Sequence, residues 1–311
     1  MLFGEHAVVY GRPCIVTAVN QRMKATVELT NTLTFELQAP DVQIFDYKKP
    51  ISDLGKGEIP KAARFVEFAV KNFLEKYPSK NGITILTESE FSSAFGFGSS
   101  SAATVCVLKA LSELLGIELA NKELFDISYK TILDVQKKGS GFDVAAAIYG
   151  GTLYFVTGGK VIEPLNVESL PLLVGYSGIK ADTVTIMNQV VEKTKNEQYV
   201  VEGIYNKIAI LVDKAKEAII QKDWKVVGKL MNRNQSLLQQ LGVSTEKLDV
   251  MIDASLSEGA IGAKLSGAGG GDCMISLCLE ENKKLVTTAI NKVGGRAIDV
   301  SVNTEGVRIE S

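Results

Sequence analysis

Between Met23 and Tyr47 apolar and polar residues alternate, in Ala25-Thr-Val-Glu-Leu-Thr and again in Leu33-Thr-Phe-Glu-Leu. That period of two predicts half-buried strands joined as a hairpin. After Pro60 the spacing changes: Ala62, Phe65, Phe68, Ala69 and Phe73 fall on one face of a helix over residues 61–77. A strand over 82–88 then runs into a glycine- and serine-rich stretch, and a helical pattern follows over 103–115. Helices over 122–135 and 143–149, separated by the turn Gly139-Ser-Gly141, and a strand over 151–156 complete an α+β unit.

Pro164 and Pro171 bracket a crossover, which divides the chain near residue 168 into domains 1–168 and 169–311. The second half reads as mainly helical over 182–258, with Asp223 capping the helix that carries Trp224, Val227 and Leu230. Strands over 260–265 and 272–277 flank a glycine loop, a helix covers 281–293, and 295–302 and 306–309 read as closing strands. A chain of 311 residues exceeds most single cores, so two domains fit its length, and a cleft between domains is a natural ligand site.

Charge removes several function classes. With 34 basic and 36 acidic residues and no long run of one sign, nothing favours nucleic acid or an anionic membrane surface. Charges interrupt every apolar stretch well before the roughly 18 residues of a membrane span, and no signal peptide precedes the fold, so a soluble cytoplasmic protein is expected. Cys14, Cys106, Cys273 and Cys278 are scattered in apolar surroundings, the pattern of reduced buried thiols rather than of disulfides or a zinc site. His6 is the only histidine, which rules out a histidine metal cluster and a Ser-His-Asp triad built elsewhere.

Three segments carry candidate chemistry. The stretch from Ser92 to Ala102 puts Gly96 and Gly98 where a backbone can approach a ligand, then opens a helix whose first turn offers unpaired N–H groups and the positive dipole end. Phosphate is the expected guest, although neither a Walker A lysine nor a third dinucleotide-type glycine is present; the competing reading is an ordinary serine-capped helix. Asp143, behind Gly139-Ser-Gly-Phe, suits a carboxylate that orients or deprotonates an acceptor hydroxyl, or else a helix cap. Ser99 and Ser100 lie at a helix start, where one hydroxyl could bind Mg²⁺ or simply cap. In Lys264-Leu-Ser-Gly-Ala-Gly-Gly-Gly-Asp272 four glycines imply a backbone packed closely against a ligand or another loop.

Taken together, these segments resemble the small-molecule kinase superfamily of galactokinase, homoserine kinase, mevalonate kinase and phosphomevalonate kinase, the GHMP kinases, over nearly the whole chain. Leu2-Phe-Gly-Glu-His-Ala-Val-Val-Tyr-Gly11 is similar to the first motif of mevalonate kinases, as is the region from Met231 to Gly271. Lys137-Lys-Gly-Ser-Gly-Phe-Asp143 and Gly271-Asp-Cys273 look more like phosphomevalonate kinases. The resemblance implies a ribosomal-S5-type N-terminal domain, a ferredoxin-like C-terminal domain, and ATP- and Mg²⁺-dependent phosphorylation of the C5 hydroxyl of mevalonate. Phosphomevalonate kinase, with Lys137 and Lys138 meeting the extra phosphate, and a non-catalytic metabolite-binding protein are the alternatives.

By the same resemblance Gly96, Gly98, Ser99, Ser100, Ser101 and Ala102 would wrap the ATP phosphates, with Gly267, Gly269 and Gly270 in support. Ser100 would bind Mg²⁺, Asp143 would be the catalytic aspartate, and Glu5, His6 and Thr183 would lie near the substrate. The family's Mg²⁺-binding glutamate falls on Ile132, which leaves Asp134 as the nearest acid. A homodimer is among the assemblies this allows.

Overall fold

In the computed structural model, which describes residues 1–92 and 95–310, the helical and strand periodicities emerge largely where the sequence places them. Ser93 and Ala94 of the glycine-serine stretch lie outside the described residues. The strands are β1 Pro13–Thr17, β2 Met23–Thr30, β3 Thr34–Ala39, β4 Ile44–Pro50, β5 Gly82–Ser89, β6 Thr152–Val156, β7 Val161–Leu165, β8 Leu172–Tyr176, β9 Gly262–Ser266, β10 Cys273–Leu277 and β11 Arg296–Ile298. The α-helices are α1 Arg64–Lys76, α2 Ser99–Leu114, α3 Asn121–Gln136, α4 Phe142–Tyr149, α5 Thr183–Asn196, α6 Gln198–Ile220, α7 Trp224–Leu241, α8 Glu246–Ser257 and α9 Glu280–Lys292. The fold is α+β, as expected. No described helix is long and apolar enough to cross a membrane.

The chain forms two compact units, each assembled from separate stretches. One comprises residues 21–92, Gly98–Gly150 and 305–310; the other comprises Met1–Asn20, residues 95–97 and Gly151–Thr304. This grouping differs from the sequence division near residue 168, because β1 pairs with β6 and so joins the N-terminal segment to the chain after Gly151.

In the unit containing α1 to α4 the sheet order is β2-β5-β3-β4, so the expected hairpin between β2 and β3 does not form. Strand β5 enters between them, antiparallel to β2 and parallel to β3. Its first residue explains how: a Cβ on Gly82 would lie 1.8 Å from the Thr32 carbonyl oxygen and 2.7 Å from that of Thr34, a gap only glycine can occupy. The hairpin that does form joins β3 to β4. Phe35, Leu37, Ile83 and Ile85 from the sheet are buried, as are Val70, Phe73, Val105, Leu108 and Phe125 from the helices. Each such side chain contributes roughly 1.5–3 kcal/mol on burial. Residues 306–309, expected as a strand, run as irregular chain against the end of α4, where the Val307 N–H donates to the Ala147 carbonyl at 2.8 Å. That bond leaves the segment tied to a helix end, with no strand pairing it.

In the other unit a three-stranded sheet, β1-β6-β7, accompanies a four-stranded antiparallel sheet of order β11-β8-β10-β9. Counting from β8, that order and the helices between its strands give the ferredoxin-like pattern the resemblance implies. Helix α7 approaches β9 until backbone meets backbone: a Cβ on Gly228 would lie 2.5 Å from the Ile261 carbonyl, and one on Gly262 would lie 2.4 Å from that of Gly228. Asp223 caps α7 as predicted, accepting from the Val226 N–H at 3.0 Å.

Glu67, fully buried on α1, holds β4 and the turn after it. Its carboxylate accepts from the Tyr47 hydroxyl at 2.6 Å, Lys49 Nζ at 2.9 Å and the Gly55 N–H at 2.7 Å. Glu67→Gln removes the charge and turns an amide donor toward donors, so it should lower unfolding free energy by about 3 kcal/mol or more, the scale for breaking a buried ion pair. Denaturant melts of the two proteins check this.

Candidate active site

Helix α2 begins at Ser99 after Gly98, whose φ of 74° lies in the left-handed region. The N-cap residue Gly98 has no side chain to cap it, so Ser99, Ser100 and Ser101 occupy a first turn of the kind whose N–H groups suit an anion. The capping alternative for the serines is therefore not what forms. Helix α4 starts the same way, after Gly141 at φ 90°, and Asp143 sits inside its first turn making no cap bond. The two helix starts meet: a Cβ on Gly98 would lie 3.3 Å from Asp143 Cγ and 3.6 Å from Oδ1. Burial pushes the Asp143 carboxyl up to about 6. A carboxyl of that kind beside an anion-binding helix start can take a proton from a hydroxyl near neutral pH.

Asp134 is not brought to this place by any bond. Its Oδ2 accepts from Asn72 Nδ2 at 2.9 Å and from Lys130 Nζ at 3.0 Å, which ties α3 to α1. Burial acts to raise its pKa, but these two donors hold it below the ordinary carboxylate value. Ile132 is buried against Gly139. Among the described residues no group of three or more histidine, cysteine or acidic side chains could hold a metal. A hard cation of the Mg²⁺ type takes oxygen ligands and keeps several waters, so one protein hydroxyl beside phosphate oxygens is compatible with it. The Ser100 hydroxyl suits that part, whereas Asp134, already paired with a lysine, does not.

In the other unit, Gly4, at φ 102°, lies so close to β1 that a Cβ there would be 2.5 Å from Cys14 Cβ. The tight turn sends Glu5 and His6 inward, where both are buried. Glu5 meets Lys264 of β9, a fully buried lysine that also donates to the Leu265 carbonyl, and Asn234 Nδ2 of α7 approaches the other Glu5 oxygen at 3.4 Å. Burial pulls Lys264 below the ordinary lysine value while Glu5 pulls the other way. His6 has φ 58° and ψ −50°, a backbone costing about 1–3 kcal/mol, of the sort that gathers at functional sites. Its Nε2 lies 2.8 Å from the Ala268 carbonyl and so must donate, which leaves Nδ1 as a bare acceptor that no described protein group reaches. Burial lowers the His6 pKa, and the ring is neutral at pH 7.

Most glycines of the 267–271 loop are packed against protein. Cβ atoms on Gly269, Gly270 and Gly271 would lie 2.1 Å from the Val243 carbonyl, 2.5 Å from Ile186 Cδ1 and 2.7 Å from the Ile179 carbonyl, while Gly267 alone meets nothing within 4 Å. The loop is thus seated on α5 and the turn after α7, with the Ala268 carbonyl turned to His6. Thr183 opens α5 and is exposed. Gly96 faces Asp272: a Cβ on it would lie 2.8 Å from Asp272 Oδ2. Sequence reasoning missed Lys264, Asn234 and Asp272. A lysine amid the buried strand Gly262–Ser266 was a visible signal, since an unpaired lysine is almost never placed there.

Residues 64–151 match the family model "GHMP kinases N terminal domain" and residues 215–296 match "GHMP kinases C terminal". A mevalonate kinase of Pyrococcus horikoshii is 36% identical over 321 aligned residues, covering 100% of this chain and 95% of that protein. A crystal structure of mevalonate kinase superposes with a TM-score of 0.81 at 29% identity, covering 98% of this chain and 96% of that one. A phosphomevalonate kinase of Streptococcus pneumoniae shares the fold at 18% identity, with a TM-score of 0.81 and coverage of 97% and 96%.

The Glu5–Lys264 pair yields a sharp stability test. Lys264→Met alone strands a buried carboxylate and should cost about 3–5 kcal/mol, whereas adding Glu5→Gln should recover a large part of that loss. Urea unfolding of both single variants and the double variant measures the coupling.

Proposed function

The chain belongs to the GHMP kinase family, and from that premise we propose that it transfers the γ-phosphoryl group of ATP to the C5 hydroxyl of mevalonate. The observation that carries the acceptor is the 36% identity to a mevalonate kinase across the whole chain. The site chemistry agrees. The first turn of α2, Ser99 to Ala102, preceded by Gly96 and Gly98, supplies N–H donors for phosphate oxygens. Mg²⁺, with the Ser100 hydroxyl as its protein ligand, supplies neutralising charge to the phosphates when bound.

Asp143 is the general base. As the C5 hydroxyl oxygen forms its bond to the γ-phosphorus and the bond to the ADP oxygen breaks, the hydroxyl proton passes to the Asp143 carboxylate. Neutral His6 accepts a hydrogen bond through Nδ1 and so reads a donor such as a substrate hydroxyl. The Glu5–Lys264 pair fixes the turn that aims it. The phosphomevalonate alternative rests on Lys137 and Lys138, and the exposed Lys137 Nζ donates to the Asp134 carbonyl at the end of α3 at 2.8 Å.

A coupled ADP-release assay comparing mevalonate, 5-phosphomevalonate, galactose and homoserine tests the acceptor; mevalonate should be fastest, and a preference for any of the others sinks the assignment. Asp143→Asn should keep nucleotide affinity while turnover falls on the order of a hundredfold or more; near-normal turnover would show that Asp143 is not the base.

The pH dependence of the same group has two faces. Activity requires the ionised carboxylate, so kcat/KM should fall as pH drops through about 6. Stability runs the other way. A carboxyl whose folded value lies above its unfolded value of about 4 binds protons more readily when folded, so its contribution weakens as pH rises from about 4 to about 6. A pH–rate profile and pH-dependent melts of the wild type and Asp143→Asn separate the two.

A further inference from the structure

Asp272 stands where the preceding glycines would make another glycine the easy choice. Its φ is 53°, a left-handed backbone that costs most side chains about 1 kcal/mol or more, and it follows Gly269, Gly270 and Gly271, all at positive φ. Its backbone N–H donates to the Ile179 carbonyl at 2.7 Å and its carbonyl accepts from the Ser177 N–H at 2.8 Å. The side chain then reaches in two directions. Oδ1 accepts from the Ala181 N–H at 2.8 Å, two residues before α5 opens at Thr183, while Oδ2 lies against Gly96.

The neighbouring residues hold the same stretch of loop. Cys273 Sγ donates to the Phe95 carbonyl at 3.2 Å. The Phe95 ring packs edge-on to Tyr176 with centroids 5.2 Å apart, and the Arg296 guanidinium lies 5.9 Å from its centroid. A carboxylate beside a loop that receives polyphosphate is unfavourable as a ligand contact, because like charges repel. It makes sense as a strut: burial raises its pKa, against the pull of the Ala181 N–H and Lys180, and this weakens the repulsion further.

The geometry points to Asp272 as a positioning residue that holds the leading half of the glycine-serine loop, at Phe95 and Gly96, in register with the segment entering α5. This rests on the reading of that loop as the nucleotide phosphate loop. Asp272 touches no phosphate; it sets where the loop backbone stands before nucleotide arrives, so that binding need not order it.

Two substitutions separate this role from mere folding and from charge. Asp272→Gly suits the left-handed backbone, so its melting temperature without nucleotide should stay close to wild type. Its ATP dissociation constant, measured by calorimetry with no acceptor present, should weaken about tenfold or more, the scale of one hydrogen bond to a charged group. Amide hydrogen exchange at residues 95–98 should quicken in that variant. Asp272→Asn tolerates the same backbone and keeps the Oδ1 acceptor, so it should restore affinity to within a few-fold of wild type. Unchanged ATP affinity and exchange in Asp272→Gly would overturn the proposal, as would an Asn variant as weak as the Gly variant, since the charge and not the strut would then matter. Because no acceptor is used, a wild type that binds ATP but ignores mevalonate would sink only the acceptor assignment. A wild type that binds no ATP would overturn both.

Discussion

The buried contact between Glu5 and Lys264 is the constraint on which the placement of the N-terminal turn and the glycine loop depends. Each charge alone would be intolerable in an apolar interior; together, with Asn234 and the Leu265 carbonyl, they are matched. The pair joins the N-terminal turn to the strand that leads directly into the glycine loop. His6 follows Glu5 and reaches the Ala268 carbonyl of that loop, so a single ion pair fixes the separation of two segments more than 250 residues apart in sequence.

Glycine serves two different ends in this protein. At Gly98 and Gly141 it starts helices at positive φ without a capping side chain. At Gly269, Gly270 and Gly271 it lets one loop press against Val243, Ile186 and Ile179. Both uses look alike as clusters of letters. The difference is whether the space a Cβ would fill already holds protein atoms, and only the fold can say.

Much of the local structure was legible because it rests on short-range physics. The helices α1, α3 and α9, the strand β5 and the Asp223 cap follow from spacing and capping chemistry within a few residues. The pairing of β2 with β5 was not legible, since a two-residue gap between two alternating stretches signals a hairpin unless a distant strand intervenes. Of the candidate site, the placement of Ser100 and Asp143 in helix first turns was legible, because each follows a glycine that ends an irregular stretch. Contacts with distant partners were illegible: nothing near Asp134 announces its engagement with Asn72 and Lys130, and nothing near Asp272 announces Gly96 or Ala181.

The insertion of β5 between β2 and β3 has a consequence for how the chain acquires its structure during synthesis. Until Gly82 and the residues after it leave the ribosome, β2 and β3 have no common neighbour, and each displays an unsatisfied row of backbone donors and acceptors. More than forty residues separate β3 from the strand that closes this gap, so the nascent sheet passes through an open-edged stage that a simple hairpin would avoid. Charged side chains on the two waiting strands, among them Lys24, Glu28 and Glu36, are of the kind that opposes pairing of such edges with those of another chain.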